Sequence, residues 1–332
     1  MPRALLLGGT GQIGMAVADR LDRAGWNVVL ASRTPPPSQG PWRHAILDRD
    51  TSGTLADAIG DGADLLLDCI AYDADHAGQL LEVQVSVGHI AAISSASVYC
   101  DEQGRTLDEA ADTGFPDLPV PIPEDHPTVA PGPATYSTRK VAMERRLLDG
   151  ATGRVTILRP CAIHGPHSRH AREYWFLRRL QDGRTKIPLA FDGRSRFQTT
   201  STAAIAEALL WALEPDRPQI LNVTDADAPT VAEIGRAIMA ATGLTAELVL
   251  LSDTSFPAKV GATPWSTPRP FVCASSAPNA GTYAETVPKA LDWLAEATRN
   301  ADWRKVLPQF AAYPRDHFDY AREDRLFASS NL

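Results

Sequence analysis

The stretch Ala4-Leu5-Leu6-Leu7-Gly8-Gly9-Thr10-Gly11-Gln12-Ile13-Gly14 decides the fold. Four apolar residues, too few for a helix, run into a glycine loop. Beyond it, Ile13, Ala16, Val17, Leu21 and Ala24 recur at helical spacing, with Asp19, Arg20 and Asp22 outward and Gly25 as the stop. A strand, a glycine turn and a helix in that order let backbone N–H groups approach a pyrophosphate at the helix N-terminus, where the dipole favours anions. The spacing is G-x-x-G-x-x-G, which alone is no more than a tight turn. Its context makes Gly8, Thr10, Gly11, Gln12, Ile13 and Gly14 candidate dinucleotide ligands.

The same rhythm continues outward. Val28–Ala31, Ala45–Leu47, Leu65–Ala71, Ile90–Ile93 and Val155–Leu158 are short apolar runs bounded by Gly, Asp or Ser, with helix-period segments between them. Repeated strand–helix alternation predicts an α/β fold, a Rossmann-type doubly wound parallel sheet covered on both faces. Pro116, Pro119, Pro121, Pro123, Pro127, Pro131 and Pro133 follow the fifth strand, and so many fixed φ angles predict a long irregular loop. After Pro160 the rhythm changes. Helices are expected at Leu177–Gln181, Ala203–Leu213 and Val231–Thr242, a strand at Ile220–Val223, and a second Pro-rich stretch over Pro257–Pro270. The expected division is a nucleotide-binding domain over 1–165, to which 196–224 returns, and a smaller mixed α/β C-terminal substrate lobe over 166–195 and 225–332.

Composition narrows the function. The 332 residues are 44% hydrophobic and 22% charged with a net charge of -8, so the basic excess of a nucleic-acid-coating protein is lacking. Cys69, Cys100, Cys161 and Cys273 are scattered, with no C-x-x-C pair, which suits free thiols in a reducing compartment. The apolar start is cut short by the glycine loop, and no run approaches the roughly 18 residues of a membrane span. The expectation is a cytoplasmic protein with a small-molecule substrate, no nucleic-acid or membrane partner, and a homodimer as the default assembly.

The second strand bears on which nucleotide binds. It ends Leu30-Ala31-Ser32-Arg33, with no carboxylate to accept from a ribose 2′-hydroxyl. Arg33 suits a 2′-phosphate, with Ser32 as a second donor, so NADP(H) is favoured and NAD(H) stays open; the competing reading of Arg33 is a solvated loop arginine. Asp48, at the close of the third strand, either accepts from the adenine amine or caps the Thr51–Ile59 segment. Tyr136 and Lys140 stand four apart on one helical face, and the fifth strand delivers Ser94-Ser95-Ala96-Ser97 to the ligand-binding edge of the sheet. A hydroxyl, a phenol and an ammonium grouped there make a proton-transfer site, because a lysine ammonium stabilises a phenolate.

Gly8–Gly14, Ser94–Tyr99, Tyr136–Lys140 and Leu158-Arg159-Pro160 followed by Gly165-Pro166 together resemble the extended short-chain dehydrogenase/reductase superfamily, of the NAD(P)-dependent epimerase/dehydratase type, over about residues 1–225. The resemblance implies that Ser95 polarises the substrate oxygen, Tyr136 exchanges the proton, and Lys140 tunes Tyr136 and binds the ribose. It also implies cofactor contacts from Ala71 after the fourth strand and from Pro160 and Ile163 along the carboxamide. Two departures stand out. Asp68-Cys69-Ile70-Ala71 replaces the usual H-x-A-A, with a shortened crossover to Ser94, and Ser201-Thr202-Ala203-Ala204 replaces a V-D-D signature.

Ser97, His164, Arg196, Gln198 and Trp265 are the candidate substrate contacts. His164, His167 and His170 are spaced by three, but no Cys or Glu cluster joins them, so a cleft-lining loop is expected and no metal site. Arg169, Arg172, Arg178, Arg179 and Arg184 either meet an anionic substrate group or form a solvated helix face. Trp293 and Trp303 read as packing aromatics. The leading expectation is an NADPH-dependent reductase of a carbonyl on a polar, sugar-like or nucleoside-like intermediate. The alternatives are an epimerase or dehydratase that retains its cofactor, and a non-catalytic nucleotide- or RNA-binding member of the superfamily.

Overall fold

The computed structural model describes residues 1–252, 255–256, 258 and 260–330. The strands are β1 (Arg3–Leu7), β2 (Asn27–Ser32), β3 (Arg43–Ile46), β4 (Leu65–Asp68), β5 (His89–Ile93), β6 (Arg154–Pro160), β7 (Ala162–His164), β8 (Lys186–Leu189), β9 (Thr199–Ser201), β10 (Ile220–Val223) and β11 (Glu247–Leu250). The helices are α1 (Gln12–Arg23), α2 (Thr54–Ile59), α3 (Ala74–Glu82), α4 (Ala110–Thr113), α5 (Tyr136–Gly150), α6 (Tyr174–Gln181), α7 (Thr202–Ala212), α8 (Val231–Thr242), α9 (Tyr283–Thr298), α10 (Trp303–Val306), α11 (Pro308–Ala311) and α12 (Tyr320–Ser330).

Seven strands form one parallel sheet in the order β10-β6-β5-β4-β1-β2-β3. Alternate residues of β1 explain why both faces are covered. Ala4 and Leu6 pack with Val17 and Leu21 of α1 and with Ile205 and Leu209 of α7. Leu5 and Leu7 pack with Ile59 of α2, Leu80 of α3 and Met143 and Leu147 of α5. Strand order reverses between β1 and β4, so their carboxyl ends splay apart and leave the crevice where such sheets take ligands.

Two short parallel pairs, β7–β9 and β8–β11, lie outside this sheet. Around β8, the helices α6, α8 and α9 enclose a second core containing Trp175, Phe176, Ile187, Leu189, Ile234, Trp265, Leu291 and Phe310, with Trp293 and Trp303 packed at its side. A third cluster forms where the proline-rich loop meets the chain at 271–273, joining Phe115, Leu118 and Ile122 to Phe271 and Cys273. That loop is irregular apart from α4, and Ile122 pairs with Cys273 as an isolated bridge.

Two boundaries that bear on the site differ from those read in the sequence, and one expected contact lies elsewhere. Strand β4 ends at Asp68 and not Ala71, because the Asp68 carboxylate takes the Ile70 N–H at 2.8 Å and turns the chain. Helix α6 begins at Tyr174, three residues before Leu177; Tyr174, Trp175 and Phe176 are all buried, so its first turn shows no polar face and no period. Of the second proline-rich stretch, Pro257 lies outside the described residues, and Trp265 sits in the core rather than at a surface.

Two glycine substitutions should behave oppositely. A Cβ on Gly14 would come within 2.4 Å of Gly9 Cα, so Gly14→Ala should destabilise by about 1–3 kcal/mol and empty the nucleotide site. Gly78, inside α3, has open space around it, and Gly78→Ala should stabilise by about 0.5–1 kcal/mol. Urea midpoints at constant m check both.

Candidate active site

The glycine loop closes on itself so tightly that side chains have no room. Gly8 sits at φ +69°, and a Cβ on Gly9 would lie 2.7 Å from the Leu6 carbonyl oxygen. Bare backbone at a helix N-terminus beside the crevice fits a pyrophosphate. Gly8, Thr10, Gly11, Ser32, Arg33 and Asp48 line one cleft of about 490 Å³ there. Ile13 packs toward the core and Gly14 lies against Gly9, so these two shape the loop from behind. Ser32 Oγ donates to the Thr34 carbonyl at 2.6 Å and lies 3.0 Å from His44 Nε2, which leaves Arg33, exposed and unpaired among the described residues, as the free donor. The Asp48 carboxylate accepts the Asp50 N–H at 3.2 Å, while its carbonyl takes the Thr54 hydroxyl at 2.8 Å. It therefore both faces the cleft and organises the start of α2.

Two further cations line this cleft that the sequence reading placed elsewhere or passed over. Arg49 reaches the fully buried Asp68 at 2.9 Å and Gln79 Oε1 at 3.0 Å. The signal was Asp68 itself, since a carboxylate at a buried strand end needs a cation. Arg169 enters from the segment after β7, and Gln12 Nε2 donates to the Gly165 carbonyl at 3.4 Å. That segment thus contributes Arg169 to the wall of the cleft.

A second cleft, also about 490 Å³, brings together Gln12, Ser95, Ser97, Tyr136, Pro160 and Ile163. Helix α5 starts at Tyr136 because Thr135 caps it reciprocally with Thr138. Its first turn is fixed to the β5 end, where Ser137 Oγ donates to the Ser97 carbonyl at 2.9 Å, and to the proline-rich loop, where Asp108 takes the Ser137 N–H at 2.7 Å. Tyr136 is 40% exposed, its ring open to the cleft and tilted against Tyr72 at 5.8 Å. Enclosure of its hydroxyl end pushes the phenol up to about 12, opposed by a hydrogen bond with Ser95. One turn on, Lys140 Nζ donates to the Ala71 carbonyl at 2.5 Å and the Ile93 carbonyl at 2.9 Å, and lies 5.7 Å from the Tyr136 ring centroid. Burial lowers Lys140 to about 8, with Asp68 and Glu144 pulling the other way.

Behind these groups runs a buried network. Glu144 accepts from Arg159 Nη2 at 2.6 Å, Arg159 Nε at 3.0 Å and Ser94 Oγ at 2.5 Å. Arg159 Nη1 reaches Tyr99 Oη at 3.2 Å, and Tyr99 donates to Asn222 Oδ1 at 2.7 Å. The sequence reading used Arg159 only as part of a motif; its role here is to tie α5, β5, β6 and β10 together.

The structure corrects four of the five expected substrate contacts. His164 is buried, paired with Asp225 at 2.7 Å and tilted against Tyr283. Gln198 is buried, its amide donating to the Asp227 carbonyl at 2.7 Å. Arg196 points outward, bridged through its backbone to Thr230. Trp265 is enclosed beside Phe176. Ser97 alone lines the catalytic cleft. The remaining wall is Phe197, stacked on Phe271 with centroids 4.9 Å apart, together with Leu107, Cys161, Ser168, His170, Arg172 and Gln309. His170 bonds Tyr313 Oη at 2.9 Å and His167 packs on Trp293, so the three spaced histidines turn to different partners. Among the described residues no His, Cys, Asp and Glu group is placed to hold a metal ion, and no helix is long and apolar enough to cross a membrane.

A glycine-loop crevice beside a Ser, Tyr and Lys group defines a dinucleotide-dependent enzyme of the short-chain dehydrogenase/reductase type. The model of the NAD dependent epimerase/dehydratase family matches residues 4–224, and the chain belongs to that family. Comparison with curated proteins finds no match. Among solved structures, MoeE5 in complex with UDP-glucose and NAD is 20% identical at a TM-score of 0.62, covering 89% of this chain and 99% of that one. The Bordetella bronchiseptica enzyme WbmG in complex with NAD is 18% identical at 0.65, covering 89% and 94%. UDP-N-acetylglucosamine 4-epimerase from Bacillus cereus is 16% identical at 0.65, covering 88% and 98%. At these identities the likeness is one of fold.

A pH test follows from Lys140. Its pKa in the fold is near 8 against an ordinary 10.5, so between those values the unfolded chain holds a proton that the folded chain has released. For a group with that shift, stability rises with pH across the window. The urea midpoint of the wild type should therefore climb relative to Lys140→Met between about pH 8 and 10. Parallel profiles would mean that Lys140 does not titrate there.

Proposed function

We propose that the protein is an NAD(P)-dependent epimerase or dehydratase that retains its cofactor and returns the hydride to the same sugar-like small molecule. The observation that carries this reading is Arg169, which the segment after β7 adds to the lining of the glycine-loop cleft. A cofactor held both by the glycine loop and by a cation from this segment can stay in place through an oxidation and the reduction that follows. The family match and structural neighbours solved with NAD and UDP-sugars support the same reading. In this reading 1–165 with 196–224 mainly serves the nucleotide and 166–195 with 225–332 the substrate, with Arg169 and Phe197 crossing that division.

Bound nicotinamide supplies the hydride acceptor and donor at its C4 position. The protein's own groups do the rest. Ser95 holds the substrate oxygen, and Tyr136 Oη moves the proton on and off it. Lys140, held by two backbone carbonyls, keeps a positive charge beside the phenol and lowers the cost of the phenolate. Gly8, Thr10 and Gly11 hold the pyrophosphate, with Pro160 and Ile163 beside the nicotinamide. Arg33 reads the 2′-phosphate of NADP(H). The preference read at Arg33 does not set the reaction's direction: a residue at the adenosine end is indifferent to whether the hydride leaves or returns. This separates the cofactor expectation from the reductase expectation.

Acid-denatured protein, freshly purified, should release close to one equivalent of NAD(P) and consume no NADPH in net turnover. Cofactor-free protein that oxidises NADPH stoichiometrically would restore the reductase reading. In cofactor-stripped protein, Arg33→Ala should weaken NADP⁺ at least about tenfold and leave NAD⁺ unchanged by fluorescence titration, in line with loss of a charge-assisted contact. Equal losses for both nucleotides would remove Arg33 as the 2′-phosphate reader.

A further inference from the structure

The catalytic cleft is lopsided in charge. None of the described residues lining it is a carboxylate, and Arg172 is its one permanently charged side chain. No ion pair among the described residues engages Arg172. Glu173, the adjacent carboxyl, turns inward to within 3.3 Å of Tyr283 Oη. Next to it, His170 stays neutral near pH 7, since burial and the Arg172 charge bring it down to about 3. Ser168 and Gln309 line the same side. Leu107 and Phe197 add apolar surface to the cleft, Phe197 being stacked on the fully buried Phe271.

The segment carrying Arg172 is anchored. The Arg169 carbonyl accepts from the Gln309 N–H at 3.2 Å and the Phe310 N–H at 3.4 Å, and His170 is tied to Tyr313 at 2.9 Å. An unpaired guanidinium on a fixed backbone, facing a cleft without counter-charge, is poised for an anion that arrives with the ligand.

We propose that Arg172, with Ser168 and Gln309, forms an anion subsite that orients a small substrate bearing one carboxylate or phosphate group, its carbon frame against Phe197 and its reacting oxygen at Ser95 and Tyr136. This rests on the proposed hydride chemistry at Ser95 and Tyr136 and narrows its substrate to sugar acids or sugar phosphates. Guanidinium and amide donors together with the half-buried Phe197 ring in one cleft match a short amphipathic ring compound.

The test titrates the holoenzyme with inorganic phosphate, acetate and UDP in separate calorimetric series. Phosphate or acetate should bind the wild type and lose at least about tenfold affinity in Arg172→Gln, while Arg172→Lys keeps part of it, the loss expected for a charge-assisted contact. Tighter acetate assigns a carboxylate, and tighter phosphate a phosphoryl group. NADP⁺ affinity should be the same in all variants, which excludes misfolding as the cause. Equal affinities in wild type and Arg172→Gln would overturn the subsite, and UDP binding at least about tenfold (about 1.4 kcal/mol) tighter than phosphate in an Arg172-dependent way would overturn the small-substrate assignment. The underlying reading fails separately: a Tyr136→Phe enzyme that still turns over would refute the chemistry while leaving anion binding untouched.

Discussion

Glu144 and Arg159 meet with almost no water beside either, joined by two hydrogen bonds, with Ser94 completing the carboxylate's shell. Removing one partner of such a pair leaves an uncompensated buried charge, at a cost of about 3–5 kcal/mol, so the three elements that carry it hold one arrangement. Those elements are α5, β6 and the end of β5, which also carry Tyr136 and Lys140, Pro160, and Ser95. Tyr99 and Asn222 extend the network to β10, and Glu124 adds the proline-rich loop by accepting the Asn222 N–H at 2.9 Å. The placement of Ser95, Tyr136 and Lys140 depends on this interior polar chain as well as on packing, because Ser95 and Tyr136 sit at element ends, where the backbone alone constrains them least.

The same logic acts at the nucleotide end. Asp68 is fully buried at the close of β4 and is made tolerable by Arg49 and the Ile70 N–H. The residue usually placed there in the family is a histidine. Exchanging it for a carboxylate recruits a cation from the loop after β3, which brings α3 and that loop together through Arg49, Gln79 and His76.

What could be read from the sequence and what could not follow one physical rule. Strands buried on both faces announce themselves as unbroken apolar runs, and the glycine loop stands between such a run and a helical period, so the sheet and the family were legible, and Ser95 and Tyr136 do line one cleft. The substrate side failed by parity. In β7, Ile163 faces the cleft, so His164 faces away to Asp225. Around 197, Phe197 faces the cleft, so Arg196 and Gln198 face elsewhere. Successive side chains in extended backbone alternate, and a polar residue is easily chosen over its apolar neighbour when only the motif position is known. Arg172 stood in the sequence only as one of five arginines with two open readings, and Gln309 could not be joined to it, since 137 residues separate them and only the folded second core brings them together.

The match to the family ends at residue 224, yet the wall facing the catalytic groups is completed by Phe271 and Gln309, and the segment bearing Arg169 and Arg172 is held by the N–H groups of Gln309 and Phe310. Ser95, Tyr136 and Lys140 therefore lie in the part of the chain that the family shares. Phe271 and Gln309, which complete the wall facing them, lie in the last quarter of the chain. Because one segment presents Arg169 to the glycine-loop cleft and Arg172 to the cleft of Ser95 and Tyr136, the proposed cofactor retention and substrate choice would rest on the same backbone. A change that loosened α11 from the Arg169 carbonyl would disturb both together, although α11 carries none of the three proposed catalytic groups.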